Sequence, residues 1–316
     1  MLIKFLIAAV FAGTPLIFGT VGEIMNERAG LLNLGVEGMM AMGAVAGFMA
    51  GYFYDSILIA LLAAFLAGVL GALIYAVLTI TFMANQNVTG LTLTIFGVGI
   101  SNFAGEFMLV NSASSSLKLP EQIASQISNL NIPGLSTIPV IGPLFFQYNI
   151  FVYLGLFIAV ICGIYYSRTK TGLNVRAIGE NPGAADAAGI KVTKLKYINV
   201  LIGGGICGIG GAYCSMIING GVWMNNPVNG QGWIAVALVI FASWRPLRAI
   251  FGSFIFGAFN ILKYYFPKTI FTFPNAFYDM LPFIITALVL VITSIRKSKE
   301  NSQPASCGVN YFREER

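Results

Sequence analysis

Residues 57–80 read ILIALLAAFLAGVLGALIYAVLTI, a run with no charged side chain and, besides Tyr75, one hydroxyl at Thr79. At about 1.5 Å of rise per residue, such a run makes a helix of about 36 Å, longer than the roughly 30 Å of hydrocarbon in a bilayer. A backbone amide in hydrocarbon finds no water, so the run must close its hydrogen bonds within itself. The stretch therefore predicts a membrane-spanning helix.

Eight further apolar stretches lie on either side, at about 3–22, 35–53, 88–107, 149–166, 197–218, 231–244, 249–266 and 276–295. Together they predict an all-α membrane protein, a polytopic helical bundle of about 8–10 transmembrane helices. The stretch at 231–244 is short for a full span and is expected to be tilted or broken. Composition agrees: 57% of the 316 residues are hydrophobic and 9% charged, with a mean hydropathy of +0.81. A soluble surface needs about 25% charged residues. Residues 1–297 are thus expected to form one transmembrane domain, followed by a polar tail at 298–316 without packed structure. Lys4 and the apolar run after it also have the outline of a signal peptide, but the run continues without a convincing cleavage site.

The distribution of Lys and Arg sets the expected orientation. With the 167–196 segment placed on the cytoplasmic side and the spans alternated from it, fourteen basic residues fall inside and four outside. The inside group includes Arg28, Arg168, Lys170, Arg176, Arg245, Arg248, Lys299 and Arg313; the outside group is Lys4, Lys118, Lys263 and Lys268. This places the C-terminus in the cytoplasm and makes 108–148 an extracellular loop, with a short amphipathic helix near Glu121–Asn129. The net charge of +6 follows this topology instead of forming a basic face, so no nucleic-acid partner is expected.

Several chemistries are excluded by what the chain lacks. It has no histidine, which removes Ser-His-Asp triads, His-ligated metals and HExxH proteases. It has no Gly-Lys dipeptide and so no G-x-x-x-x-G-K-[ST] phosphate loop, and no cofactor is expected. One G-x-G-x-x-G match, at Gly203, Gly205 and Gly208, sits in an apolar span with no strand before it. Close helix packing explains it better than a dinucleotide site. Gly43, Gly47 and Gly51 recur every four residues on one helical face, again the pattern of tight membrane packing. Cys162, Cys207 and Cys214 lie in apolar stretches and Cys307 in the tail, with no spacing that suggests a disulfide or zinc site. Glu37 falls where a carboxylate complements a helix dipole, and Glu106 and Asp279 fall near span ends. No carboxylate is expected at the centre of a span, which argues against an ion-coupled carrier.

The segment 172–190, GLNVRAIGENPGAADAAGI, has a different character. Asn181 is a good N-cap, Pro182 a natural first helical residue and Gly189 a natural C′ stop. Ala184, Ala185, Ala187 and Ala188 lie between them, so a short helix with very small side chains is predicted. Small side chains let a partner surface approach the backbone, although an ordinary capped surface helix would carry the same marks.

That segment, together with Glu23–Met40 (EIMNERAGLLNLGVEGMM), resembles the permeases of ABC importers for nucleosides. These belong with the ribose and branched-chain amino-acid permeases in one superfamily. Ala84–Leu93 (ANQNVTGLTL), Gly230–Arg245 and Leu281–Leu290 (LPFIITALVL) extend the resemblance, in order, from about residue 20 to 295. It implies a two-bundle fold with an inverted pseudo-repeat, in which Asn33–Met42 and Asn229–Ala237 are faintly alike. It also implies a cytoplasmic ATP-binding subunit, a second related permease subunit and an extracellular substrate-binding lipoprotein, in the cytoplasmic membrane. By the same analogy Gly179, Glu180, Asn181, Pro182, Ala184, Ala185, Ala188 and Gly189 form the part that couples to the ATPase. A nucleoside needs ring faces and amide or hydroxyl partners, so Asn33, Glu37, Asn87, Thr89, Thr92, Phe96 and Asn102 are the candidate substrate path. A helix break is expected near Asn85–Gly90. Buried amides of this kind equally serve as glue between helices. A sugar permease and a self-sufficient carrier or channel remain open as alternatives, as does homodimeric or heterodimeric pairing.

Overall fold

The computed structural model describes residues 2–112, 116–130, 136, 138–139, 141–265, 274–296 and 302–312. Lys268, Lys297, Lys299, Arg313 and Arg316, used above for orientation, lie outside the described residues. The described chain is helical, with one isolated bridge pairing Lys118 and Val222. In order, the helices are α1 Leu2–Arg28, α2 Val36–Tyr54, α3 Ile57–Thr81, α4 Gln86–Val110, α5 Glu121–Gln126, α6 Ile141–Phe145 and α7 Ile150–Arg168. They continue with α8 Lys170–Glu180, α9 Pro182–Ala187, α10 Val192–Ile218, α11 Gln231–Phe241, α12 Pro246–Tyr265 and α13 Asn275–Arg296. The last turns of α3 and α10 are widened to π geometry, at Val77–Thr81 and Cys214–Ile218. Six helices, α1, α2, α3, α4, α7 and α10, are long and apolar enough to cross a membrane. The remaining expected spans are occupied by α11, α12 and α13, whose described apolar portions are shorter.

The centre of the bundle is α1, α2 and α10. Every residue of α1 from Gly13 to Glu27 is buried, as expected of a helix surrounded by others. The glycines allow this density. A Cβ on Gly43 would strike the Gly208 backbone, one on Gly68 the Gly204 carbonyl, and one on Gly211 the Met40 carbonyl. Gly43 and Gly47 of α2, and Gly203, Gly205 and Gly208 of α10, thus face neighbouring helices, which bears out the packing reading.

Two local expectations change. The first span is longer than 3–22, because α1 runs on to Arg28 and takes Glu23, Asn26 and Glu27 into the interior. This is tolerable because the carboxylates are bonded. Glu23 Oε2 accepts from Asn26 Nδ2 (2.7 Å) and Oε1 from the Asn33 N–H (2.9 Å), while Glu27 accepts from Trp244 Nε1. Glu23, Glu27 and Glu37 are thus all buried, the first two in the last turns of α1 and the third in the first turn of α2, and none at the middle of its helix. The segment 167–196, read as a loop around one short helix, instead holds the amphipathic α8 as well as α9, and α10 begins within it at Val192. The short helix expected near Glu121–Asn129 is α5.

The chain enters α2 and α11 in the interior rather than at a surface. A Cβ on Gly19 would lie 2.7 Å from Ala235 Cβ and 3.7 Å from Val36 Cγ1, and Gly19 is nine residues before the end of α1 at Arg28. Nine residues of helix are about 14 Å. From there α11 runs towards the Arg28 end, where Arg28 Nε donates to the Trp244 carbonyl (2.9 Å). The other helix, α2, runs the opposite way to Asp55, whose backbone carbonyl accepts from Gln126 at the end of α5. The short stretch at 231–244 is thus a half-span helix. Irregular backbone at such depth occurs only where protein or a cavity surrounds it.

Candidate functional site

At the end that carries Arg28, Arg176 and Arg245, helices α8 and α9 meet at Asn181. Its φ of −151° ends α8, and its side chain accepts from the Ala184 N–H (2.9 Å) to start α9. Pro182 occupies the first helical position, where no N–H is needed. At the other end the Gly189 N–H donates to the Asp186 carbonyl (2.9 Å) and the Ile190 N–H to the Ala185 carbonyl (3.0 Å). This is a Schellman closure, with Gly189 at φ +80° as the sequence led us to expect. Ala184, Ala187, Ala188 and Gly189 are exposed, and no atom lies within 4 Å of a Cβ on Gly189. Ala185 is different: it is buried against Ile178 and Val192 and anchors α9. Gly179 and Glu180 belong to the last turn of α8, where Gly179 lies against the Arg28 carbonyl.

The tail, expected to lack packed structure, is laid across this end between residues 302 and 312. Ser306 donates its N–H to the Gly179 carbonyl (2.9 Å), and its hydroxyl reaches the Ile178 and Gly179 carbonyls (3.1 and 2.6 Å). Asn310 Nδ2 donates to the Met83 and Ala84 carbonyls, and Asn310 Oδ1 accepts from Gln86 Nε2 (3.1 Å). Tyr311 donates to the Asp186 carboxylate on α9 (2.9 Å). A polar tail binds here because helix ends offer unpaired carbonyls. Burial, and then the nearby Glu27 carboxylate, push the Cys307 thiol well above its usual range.

The candidate path residues separate into two groups. Asn33 and Glu37 are deep and fully engaged. Asn33 donates its N–H to Glu23 and accepts from the Gly35 N–H (2.8 Å), which fixes the entry into α2. Glu37 accepts from the Gly230 and Gly232 N–H groups (2.8 and 2.6 Å), so the carboxylate of the first turn of α2 caps the start of α11. Two positive helix ends thus share one negative group. Asn87, Thr89, Thr92, Phe96 and Asn102 all lie on α4, and helix begins directly at Gln86, so no break follows Asn85. Thr89 and Thr92 turn their hydroxyls to the carbonyls of Asn85 and Val88 (2.8 Å each). Asn87 and Phe96 are exposed. Asn102 exchanges two bonds with Asn226, at 2.9 and 3.0 Å.

Gln86, from the polar stretch 85–90, and three residues that sequence reasoning left out of the path belong beside these. Gln86 is buried and accepts from the Leu32 N–H (2.8 Å) while it holds the tail. Glu106, Asn225 and Asn226 surround Asn102 at the far end of α4, with Asn225 Nδ2 donating to Glu106 Oε1 (2.7 Å). The i, i+4 spacing of Asn102 and Glu106 was a usable signal, but the partner loop at 219–230 gave none.

The described chain is thus an all-α membrane bundle in which α2 and the shorter α11 both start in the interior, with a capped helix at its basic end. Residues 5–290 match the family described as the branched-chain amino acid transport system / permease component, and the chain belongs to it. It is 33% identical over 310 residues to the nucleoside ABC transporter permease protein NupC of Lactococcus lactis, covering 95% of this chain and 94% of that one. It is 33% identical over 296 residues to the guanosine ABC transporter permease protein NupQ of Bacillus subtilis, covering 90% and 89%. It is also 35% identical over 256 residues to the provisionally named glucose ABC transporter permease protein TsgC13 of Haloferax volcanii, covering 81% and 75%. The chain is accordingly an ABC permease subunit and a multi-pass membrane protein.

Proposed function

We propose that this chain carries nucleosides across the cytoplasmic membrane as the permease subunit of an importer. Its movement would be driven by a separate ATP-binding subunit, and its ligand delivered by an extracellular substrate-binding lipoprotein. The observation that carries the ligand class is the likeness to NupC and NupQ along nine-tenths or more of this chain. The exposed face of α9, with Ala184, Ala188 and Gly189, is the surface offered to the ATPase, and Ser306 and Tyr311 of the tail steady it from behind. A second related permease subunit would cover the open side of α4, where Asn87, Thr92 and Phe96 are exposed on an otherwise apolar helix. The opposite directions of α2 and α11 from a shared start support an inverted repeat. The basic end is assigned to the cytoplasm by its arginines and lysines.

The likeness to TsgC13 favours a second reading, a simple sugar as ligand. The test is uptake of radiolabelled guanosine, uridine and glucose in cells expressing the chain with its neighbouring ATPase, second permease and lipoprotein genes. Nucleoside uptake that disappears with an ATPase-dead partner is expected. Glucose uptake alone establishes the sugar reading, and uptake without any ATPase removes the importer assignment.

A further inference from the structure

At the end of the bundle away from Arg28, a polar group is left facing outward. Glu106 lies twenty residues into the 25-residue helix α4, is exposed, and follows Asn102 by four positions on the same side. An exposed carboxylate on an apolar helix is costly against lipid and implies water, protein or ligand in front of it. The 219–230 loop supplies Asn225 and Asn226, the latter at φ +54°. Asn225 Nδ2 holds Glu106 Oε1 at 2.7 Å, and Asn226 is doubly bonded to Asn102 at 2.9 and 3.0 Å. The loop itself is pinned where the Leu119 N–H donates to the Gly221 carbonyl (2.8 Å) and the Trp223 N–H to the Leu117 carbonyl (2.9 Å). The Trp223 indole, only 9% exposed, lies against Gly105, and its ring N–H has no acceptor. Phe103 and Phe107 are exposed on the same stretch of α4, their rings stacked with centroids 6.2 Å apart.

A carboxylate only accepts hydrogen bonds, at about four lone-pair sites on its two oxygens, and Asn225 occupies one of those sites on Glu106 Oε1. What remains suits a pair of adjacent hydroxyl donors, which two carboxylate oxygens engage side by side. We propose that Glu106, oriented by Asn225 and flanked by the Asn102–Asn226 pair, accepts hydrogen bonds from a vicinal diol of the transported ligand. The aromatic pair beside it offers an apolar face to the ligand's ring. A ribonucleoside and a hexose both present such a diol, so the assignment rests on the permease function proposed above and deepens either form of it. Asn225 is a positioning residue here, because it acts through Glu106.

The test uses the complete transporter in cells and compares uptake efficiency (maximal rate over KM) of uridine, 2′,3′-dideoxyuridine and glucose. A charge-assisted bond to a hydroxyl pair corresponds to a preference of about ten-fold or more for uridine over its dideoxy analogue. Glu106→Gln is expected to reduce that preference to about two-fold, because uridine uptake falls more than dideoxyuridine uptake. Asn225→Ala, which keeps the carboxylate and removes its holder, is expected to reduce it partway, and it serves as the test should Glu106→Gln not reach the membrane. Equal losses for uridine and dideoxyuridine would give Glu106 a purely structural role and overturn the assignment, as would a wild-type preference retained in both variants. In that event ATP-dependent uridine uptake by the wild type would still uphold the nucleoside reading. A wild type that carries glucose but not uridine moves the comparison to glucose and 2,4-dideoxyglucose, which keeps no adjacent hydroxyl pair, with the same expected outcomes. Uptake of neither class overturns the functional reading and this assignment together.

Discussion

Glu37 joins two helices through two backbone donors, a buried one at Gly232 and a half-buried one at Gly230. Its carboxylate accepts from Gly230 and Gly232, and a Cβ on Gly232 would crowd the Glu37 backbone and carboxylate. Glu37→Ala leaves the Gly232 N–H buried without an acceptor, at about 1–3 kcal/mol, and the Gly230 N–H without its partner. Purified protein carrying this change is expected to unfold at a temperature about 5 °C or more below wild type by near-UV circular dichroism. An unchanged Tm would mean that the start of α11 is held by other contacts.

The capped helix and the tail make separable claims at the scale of elements. Ala184 points outward and Ala185 inward, so only the first tests docking. Ala184→Trp is expected to leave membrane insertion intact and to abolish co-purification of the ATP-binding subunit and ligand uptake. Full uptake in this variant would show that α9 does not touch the ATPase. Gly189→Val acts differently, by forcing a β-branched residue to φ +80°, at a cost of about 1–2 kcal/mol. It should loosen α9 without filling the contact. The tail is read through its thiol. Burial raises the Cys307 pKa, so at neutral pH little thiolate is present and alkylation is slow. Lifting the tail lowers that pKa towards the ordinary thiol value and increases the thiolate fraction. A double variant, Ser306→Ala with Asn310→Ala, removes the side-chain bonds to Ile178, Gly179, Met83 and Ala84. It should label with iodoacetamide in membranes about ten-fold faster, because each unit of pKa is about ten-fold in thiolate. Equal rates would place the tail elsewhere in the membrane-bound protein.

For the whole molecule, the orientation proposed from the basic end has a direct test. Thr169, exposed between α7 and α8, lies in the basic end, and Gln122, exposed on α5, lies beyond the opposite ends of α2 and α10. Cysteine at Gln122 is expected to react with an impermeant thiol reagent in intact cells, and cysteine at Thr169 only after permeabilisation. The reverse pattern would invert the orientation and put α9 and the tail outside, where no ATPase reaches them. One chain also leaves a side of α4 uncovered, with Asn87, Thr92, Phe96 and Glu106 exposed, the side on which the proposed second permease subunit would pack.

Local chemistry decided much of this protein from sequence alone. Runs such as 57–80 determine helices because hydrocarbon forbids unpaired amides, whatever the neighbours are. Asn181, Pro182 and Gly189 determine α9 because capping acts within a few residues. The repeated glycines announced close helix contacts, since a missing side chain in an apolar run has little other use. Depth and partnership were not legible in this way. Nothing in 23–34 shows that Glu27 is taken inside, because the Trp244 that satisfies it comes from another part of the chain. That Ala185 faces inward while Ala184 faces outward depends on where Ile178 and Val192 lie. The meeting of Glu37 with Gly230, about 190 residues away, and of Glu106 with Asn225, about 120 away, is decided only when the helices pack. A polar group in a membrane protein takes its meaning from the partner that satisfies it, and sequence spacing does not specify that partner.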